Sequence, residues 1–268
     1  MTESAPTGID PTIPSVARMY DYYLGGKDNF ASDRAAAEEF MKVVPTIREI
    51  ARENRRFLIR AVRTLTDLGI RQFVDIGTGL PTQRNVHEVA HETAPDAKIV
   101  YMDNDPIVLI HARALLADNP ETIVVDADLR QPKALMEHPE LRAHIDFDRP
   151  VALLMFAIVH FVPDDAEAAD IVARLREPLR PGSYLAMSHG YAGSMTREQI
   201  HAGQAAYRMT ASGTLIPRDV EQFTGYFDGL RLLSPGIVPA PAWRPDIVFG
   251  DEPDFSRPGL LAAVGEVV

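Results

Sequence analysis

Three aspartates stand at the ends of three successive apolar runs: Asp75 in RQFVDIGTG, Asp103 in KIVYMDNDP and Asp128 in TIVVDADLR. Gly77 and Gly79 follow the first, and a helical pattern starts directly after them. Glycine has no Cβ, so a ligand can approach its backbone closely. The N–H groups that open a helix have no partner inside it and point outward at such a ligand. A carboxylate on the next strand, roughly 20 to 30 residues beyond the glycines, can accept both hydroxyls of a ribose. Asp128 can accept from the exocyclic amine of adenine. A fourth apolar run ends at Phe156, Ala157 and Ile158, whose backbone can flank a flat base. One acid at a strand end is a cap or a turn residue; three in succession after a Gly-x-Gly turn point to a nucleoside. A dinucleotide turn wants a further glycine three positions after the second, and Thr82 stands there. No Gly-Lys-Ser/Thr follows the glycines, so a P-loop is absent.

The elements that must position these residues read as an alternation. Helical patterns cover residues 82–93, then PIVLIHARALLAD with Pro106 near its start, then 166–177. Apolar runs at KIVYMD, TIVVD, PVALLMFAIVHF and GSYLAMSHG lie between them. Strands alternating with helices, each strand largely apolar, predict an α/β fold with a parallel sheet covered on both faces. In such sheets ligands sit outside the carboxyl ends of the strands. The tail differs: helices are expected over 196–212 and PRDVEQFTGYF, then late strands at GLRLLSP and GLLAAVGEV. Between those strands lies a proline-rich loop carrying Trp243, the only tryptophan, which is expected to pack rather than to edge a site.

Ahead of the alternation, residues 1–13 read as a loose arm and 14–69 as a helical segment that forms one unit with 70–268. Val16, Met19, Tyr20 and Tyr23 share a helical face that Gly25 and Gly26 end. The stretch YDYYLGGKDNF mixes aromatic faces with polar tips and is a candidate cover for a ligand site. A long helix follows from Pro45 to Leu68, its inner face including Asn54 among apolar residues. Arg48, Arg52, Arg56 and Arg60 recur along it, which predicts a solvated face or a docking stripe.

Composition narrows the function. The chain has 268 residues, 46% of them apolar, enough for a full core without staples. It has no cysteine, which removes disulfides, thiolate metal sites and cysteine nucleophiles. A net charge of -11 argues against a general binder of nucleic acid. No apolar run approaches the roughly 20 residues that span a bilayer, and the first residues carry no signal-peptide pattern. A cytoplasmic protein is expected, with its oligomeric state open. Asp164 and Asp165 read as a helix cap, and no metal site is expected.

The series DIGTG, YMDNDP, ADLRQP and LLMFAIVHFVPDD resembles the motifs of class I S-adenosylmethionine-dependent methyltransferases. More narrowly, PSVARMYDYYLGGKDNF, DIGTGLPTQRNVHEVA, DNDPIVLIHARALL and the SPGIV…WRPD tail resemble an actinobacterial S-adenosyl methyltransferase family once described as a domain of unknown function. The resemblance implies a Rossmann-like seven-stranded sheet in the order 3-2-1-4-5-7-6, its last strand antiparallel. The implied cofactor is S-adenosyl-L-methionine and the implied partner a small-molecule methyl acceptor. Asp75, Gly77 and Gly79 would then wrap the methionine part, Asp103 and Asn104 hold the ribose, and Asp128 and Leu129 meet the adenine. Ala157 and His160 would border the sulfonium; Tyr23, Lys27 and Asn29 would close over the cofactor. Pro81 stands where many such enzymes have a third glycine, so the loop must take another shape. His160 and His189 are the candidate general bases, and Tyr20 and Tyr191 candidate pocket walls. Two other readings fit the same sheet: a non-catalytic regulator that binds the cofactor or a nucleoside, and a nicotinamide-dependent oxidoreductase.

Overall fold

Glycine and proline punctuate this chain, and the element boundaries fall where they do. The computed structural model describes residues 9–82, 84–116, 119–247 and 252–268. Residues 1–8 of the expected arm and 248–251 of the proline-rich loop lie outside them.

Three helices come first: α1 (Val16–Leu24), α2 (Ala31–Val43) and α3 (Ile47–Asp67). α1 ends at Gly25, whose φ of 86° lets its N–H turn back to the last carbonyls. α3 buries Phe57, Leu58, Ala61 and Leu65 along one stripe. Alternating elements follow: β1 (Gln72–Ile76), α4 (Val86–His91), β2 (Lys98–Asp103), α5 (Pro106–Leu115) and β3 (Thr122–Asp126). Two short helices, α6 (Pro132–Met136) and α7 (Pro139–His144), lead to β4 (Ala152–Phe156), α8 (Asp165–Arg176) and β5 (Tyr184–Tyr191). The tail comprises α9 (Arg197–Tyr207), α10 (Val220–Gly225), β6 (Leu230–Leu232), β7 (Val238–Pro239) and β8 (Gly259–Val267). α6 and α7 were not expected; each opens on a proline and is too short to show a helical repeat.

The sheet runs β3-β2-β1-β4-β5-β8-β6, with β7 pairing β8 alongside. This is the expected order with one short strand added. β1 to β5 pair in parallel, Val74 opposite Val100 and Leu153 on either side. β8 runs antiparallel to β5, from Tyr184 opposite Glu266 to Tyr191 opposite Gly259.

All five residues of β1 and of β4 are buried, as a strand between two helical layers requires. Successive side chains point to opposite faces. Phe73, Ile99 and Leu154 pack with Phe57, Leu65 and Val89 on the α3–α4 side. Val74, Val100 and Leu153 pack with Leu135, Ile171 and Phe223 on the other. Trp243 is fully buried, edge-on to Phe57 at 5.3 Å, so it packs as expected. The arginine row of α3 is not one solvated stripe. Arg52 and Arg56 are exposed, but buried Arg60 donates to the carbonyls of Trp243 and Ala240, each at 2.7 Å. It pins the proline-rich tail to α3.

Candidate functional site

The carboxyl ends of β1, β2, β4 and β5 face the N-terminal helices across a cavity of about 530 Å³. Gly77 and Gly79 form part of its wall, with φ of 72° and 67°. A Cβ at Gly77 would lie 2.4 Å from Ile158 Cγ1, so a side chain is excluded by angle and by space. A Cβ at Gly79 would meet nothing within 4 Å; there the backbone angle and the open space beside it are what glycine supplies. The Gly79 N–H donates to Asp103 Oδ2 at 2.9 Å, and the Asp105 N–H donates to Oδ1 at 2.9 Å. A carboxylate has about four lone-pair sites, so Asp103 keeps room to accept from a ligand. Burial pushes Asp103 up to about 6, against the N–H groups of Asp105, Gly79 and Asn104.

Asp75 shares the hollow and is 4% exposed. Burial pushes its carboxyl up to about 7; Arg55 opposes the rise and Asp103 adds to it. Arg55 also donates to the Arg84 carbonyl at 3.1 Å, which ties α3 to the glycine-rich turn. Asp105 caps α5 through the Ile107 N–H at 3.0 Å and accepts from the Ser15 hydroxyl. Asp128 does not join them at the cavity wall. The Arg130 guanidinium clasps its carboxylate at 2.7 Å and holds it below the usual carboxylate range. Arg130 and Asn104 border the cavity instead, while Leu129 packs into the core below the sheet. Exposed Lys27 is not part of the wall either. Asn29 donates to Asp21 Oδ2 at 2.8 Å and to the Gly26 carbonyl, so it shapes the turn after α1. Tyr23 does border the cavity, its hydroxyl 3.3 Å from that of Tyr207.

A buried polar chain fastens the cover to the sheet. The Tyr20 hydroxyl donates to the Ala51 carbonyl and accepts from Asn54 Nδ2, each at 3.0 Å. Asn54 Oδ1 accepts from the Ser188 hydroxyl at 2.6 Å, and Ser188 Oγ accepts from the Ala157 N–H at 3.0 Å. Ala157 sits at φ 54°, a left-handed backbone that costs a non-glycine residue about 1–2 kcal/mol. Its placement at the cavity wall at the end of β4 puts that strain at the site.

The two histidines differ in kind. Gly190 N–H donates to His160 Nδ1 at 3.1 Å, so the neutral ring carries its proton on Nε2. His160 is 4% exposed and borders the cavity. Its Nε2 has no hydrogen-bond partner among the described residues. Burial, with His189 and Arg218 nearby, holds it well below the usual histidine range. His189 lies away from the cavity wall: the Arg218 guanidinium donates to its Nε2 at 3.0 Å and its Nδ1 donates to the Gly190 carbonyl at 2.9 Å. Both nitrogens are engaged, and burial pushes it down to about 3. It has no lone pair for a substrate, so the base role expected of it is withdrawn. Among the described residues no cluster of histidines and acids could hold a metal ion.

Comparison with known proteins decides the family. A family model described as S-adenosyl methyltransferase matches residues 2–267. The chain belongs to that family. It is a class I S-adenosylmethionine-dependent methyltransferase, and S-adenosyl-L-methionine is its cofactor. A DUF574 family protein from Streptomyces avermitilis is 41% identical, with 97% of this chain and 99% of that one covered and a TM-score of 0.88. A crystallised putative methyltransferase from Thermobifida fusca is 40% identical over 99% of both chains, also with a TM-score of 0.88. The N-methyltransferase NodS from Bradyrhizobium japonicum, solved with S-adenosyl-L-homocysteine, is 12% identical over 81% of this chain and 87% of that one; its TM-score of 0.50 speaks to the fold alone. None of the curated proteins matches.

The residues present fit this cofactor. Gly77 lets the turn pack against Ile158 where a Cβ would collide, Gly79 leaves open space at a left-handed angle, and Asp103 keeps room to accept from hydroxyl donors. Pro81 is accommodated because the chain leaves the wall before it: Leu80 is buried against Ile107 and Val108. Several wall residues were not singled out from sequence. Asn54 had a signal, a lone amide on an apolar helical stripe. Arg55 was hidden in a run of arginines, and Ser15, Phe40, Gln204 and Tyr207 become neighbours only through tertiary packing.

Proposed function

We propose that this enzyme transfers the methyl group to a small-molecule acceptor held beneath α1, α2 and α9, with 14–69 acting as a cover built into one unit with 70–268. The observation that carries this reading is the continuity of one cavity, from Gly79 and Asp103 at the sheet to Phe40 and Tyr207 under the helices. Such a covered space suits a compact molecule and not a polymer, and the net charge of -11 disfavours nucleic acid further.

When bound, S-adenosyl-L-methionine supplies an electrophilic methyl group on a sulfonium. In our assignment Asp103 accepts the ribose hydroxyls, and Asn104 and Arg130 frame the adenine end. Gly77 and Gly79 let the backbone approach the amino-acid end, with Asp75 beside its ammonium group. Ala157 carries the wall at the reacting centre, fixed by its N–H to Ser188. Tyr23 closes the cover from above. Chemistry then rests on alignment and exclusion of water. His160 cannot serve as a base through Nδ1, which Gly190 occupies; it donates from Nε2 and orients the acceptor. The direct test is a labelled methyl donor incubated with cell extract split into small-molecule and macromolecular fractions. Label appearing in the small-molecule fraction is expected; label confined to protein or RNA would overturn the assignment.

A further inference from the structure

The cavity is polarised by its charges. Asp75, Asp103, Asp105, Arg55 and Arg130 all line the part over β1, β2 and β3. Asp10, which accepts from the Thr12 N–H and hydroxyl, and Arg18, from α1, also reach the wall; the Arg18 guanidinium is taken by Asp33 at 2.7 Å and by the Ile13 carbonyl. Over β4 and β5 the wall changes character. Five rings follow one another there: Tyr23 to Phe40 at 6.4 Å, Phe40 to Tyr207 at 4.9 Å, Phe161 to Tyr207 at 5.8 Å and His160 to Phe161 at 4.5 Å. Met195 and Leu215 pack against the same group. No Asp, Glu, Lys or Arg among the described residues of β4, β5, α2 or α9 lines this part; its polar groups are neutral, namely Gln204, the tyrosine hydroxyls and His160 Nε2.

Resting on the methyltransferase reading, we propose that this lobe binds an uncharged aromatic acceptor whose polar atom accepts a hydrogen bond from His160 Nε2. A ring stacks or meets edges with Phe40, Tyr207 and Phe161, which favours flat partners beyond the area they bury. A charged group placed there would lose its hydration with no counter-ion to meet it, a cost that neutral molecules avoid. Among the described residues the Nε2–H of His160 has no hydrogen-bond partner, so it selects a molecule with an acceptor atom at that point.

The test uses the full chain with S-adenosyl-L-homocysteine present and three probes of one ring system: 2-naphthol, 2-naphthoate and 2-naphthylmethylammonium. Affinities are read by ligand-observed NMR and calorimetry. The naphthol is expected to bind at least about tenfold more tightly than either ion. Leu215→Trp, which fills the lobe, is expected to abolish naphthol binding while leaving the affinity for S-adenosyl-L-homocysteine as it was. His160→Phe is expected to remove about tenfold from 2-naphthol but to leave naphthalene itself unchanged, a difference that a merely structural histidine would not produce. Equal or tighter binding of either ion, or no naphthol binding while S-adenosyl-L-homocysteine binds, overturns the aromatic lobe alone. Failure of S-adenosyl-L-homocysteine to bind overturns the reading beneath it.

Discussion

Asp103 and Asp75 carry the heaviest demands of any side chains here, because one hollow holds both carboxyls, Asp75 buried and Asp103 half-buried. Asp103→Ala should weaken binding of S-adenosyl-L-homocysteine by about 2 kcal/mol, since charge-assisted bonds are lost; unchanged affinity by calorimetry would remove the ribose assignment. Asp75 makes a pH prediction. Its folded value of about 7 lies above the ordinary carboxyl range, so between roughly pH 4 and 7 the native state holds more proton at this site than the unfolded chain. The contribution to stability is therefore greatest at the acid end and is lost as pH rises through about 7. Asp75→Asn should leave stability near pH 4 almost unchanged and raise it at pH 8 relative to wild type. Denaturant midpoints across that range check it; parallel curves for the two proteins would contradict it. Gly77→Ala should fail differently, because the new methyl would lie 2.4 Å from Ile158 and sit on a left-handed backbone.

Among the elements, α3 joins the cover to the sheet through Asn54. Asn54→Ala strips an acceptor from the Ser188 hydroxyl and a donor from the Tyr20 hydroxyl. A loss of about 1–3 kcal/mol is expected in thermal or chemical unfolding. With Ser188→Ala added, the two losses should overlap and not sum, which a double-mutant cycle reads out. α1 and α2 are held together by Arg18 and Asp33, a pair with side chains 4% and 0% exposed. Arg18→Met leaves Asp33 charged and buried, at a cost of about 3–5 kcal/mol. These elements show what the sequence disclosed and what it withheld. β1, β2 and β3 were plain because each is an apolar run ending at glycine or aspartate, and α3 because its apolar stripe spans many turns. α6 and α7 escaped notice because helices so short show no period. In the site, Asp103 and the glycines could be read because spacing along the chain fixes them at strand ends. The clasp of Asp128 by Arg130 two residues on could not be read, because local pairing leaves no periodic trace. His189 was misjudged for a related reason: the Arg218 that occupies it arrives from 29 residues away.

For the molecule as a whole, the anchoring of α3 to both β5 and the tail predicts one cooperative unit. Calorimetry on the full chain should give a single unfolding transition; two resolved transitions would mean that 14–69 folds apart from the rest. The same anchoring bears on how molecules enter and leave. Swinging α3 outward would strand Asn54, Ser188 and Arg60 at once, each buried and each hydrogen-bonded across the gap. Among the described residues, the seam between Pro14 and the turn after α9 is spanned by one backbone bond, from the Ala211 N–H at 3.3 Å. Parting that seam breaks fewer buried hydrogen bonds than swinging α3, so ligand passage is expected beside Pro14 and Ala211.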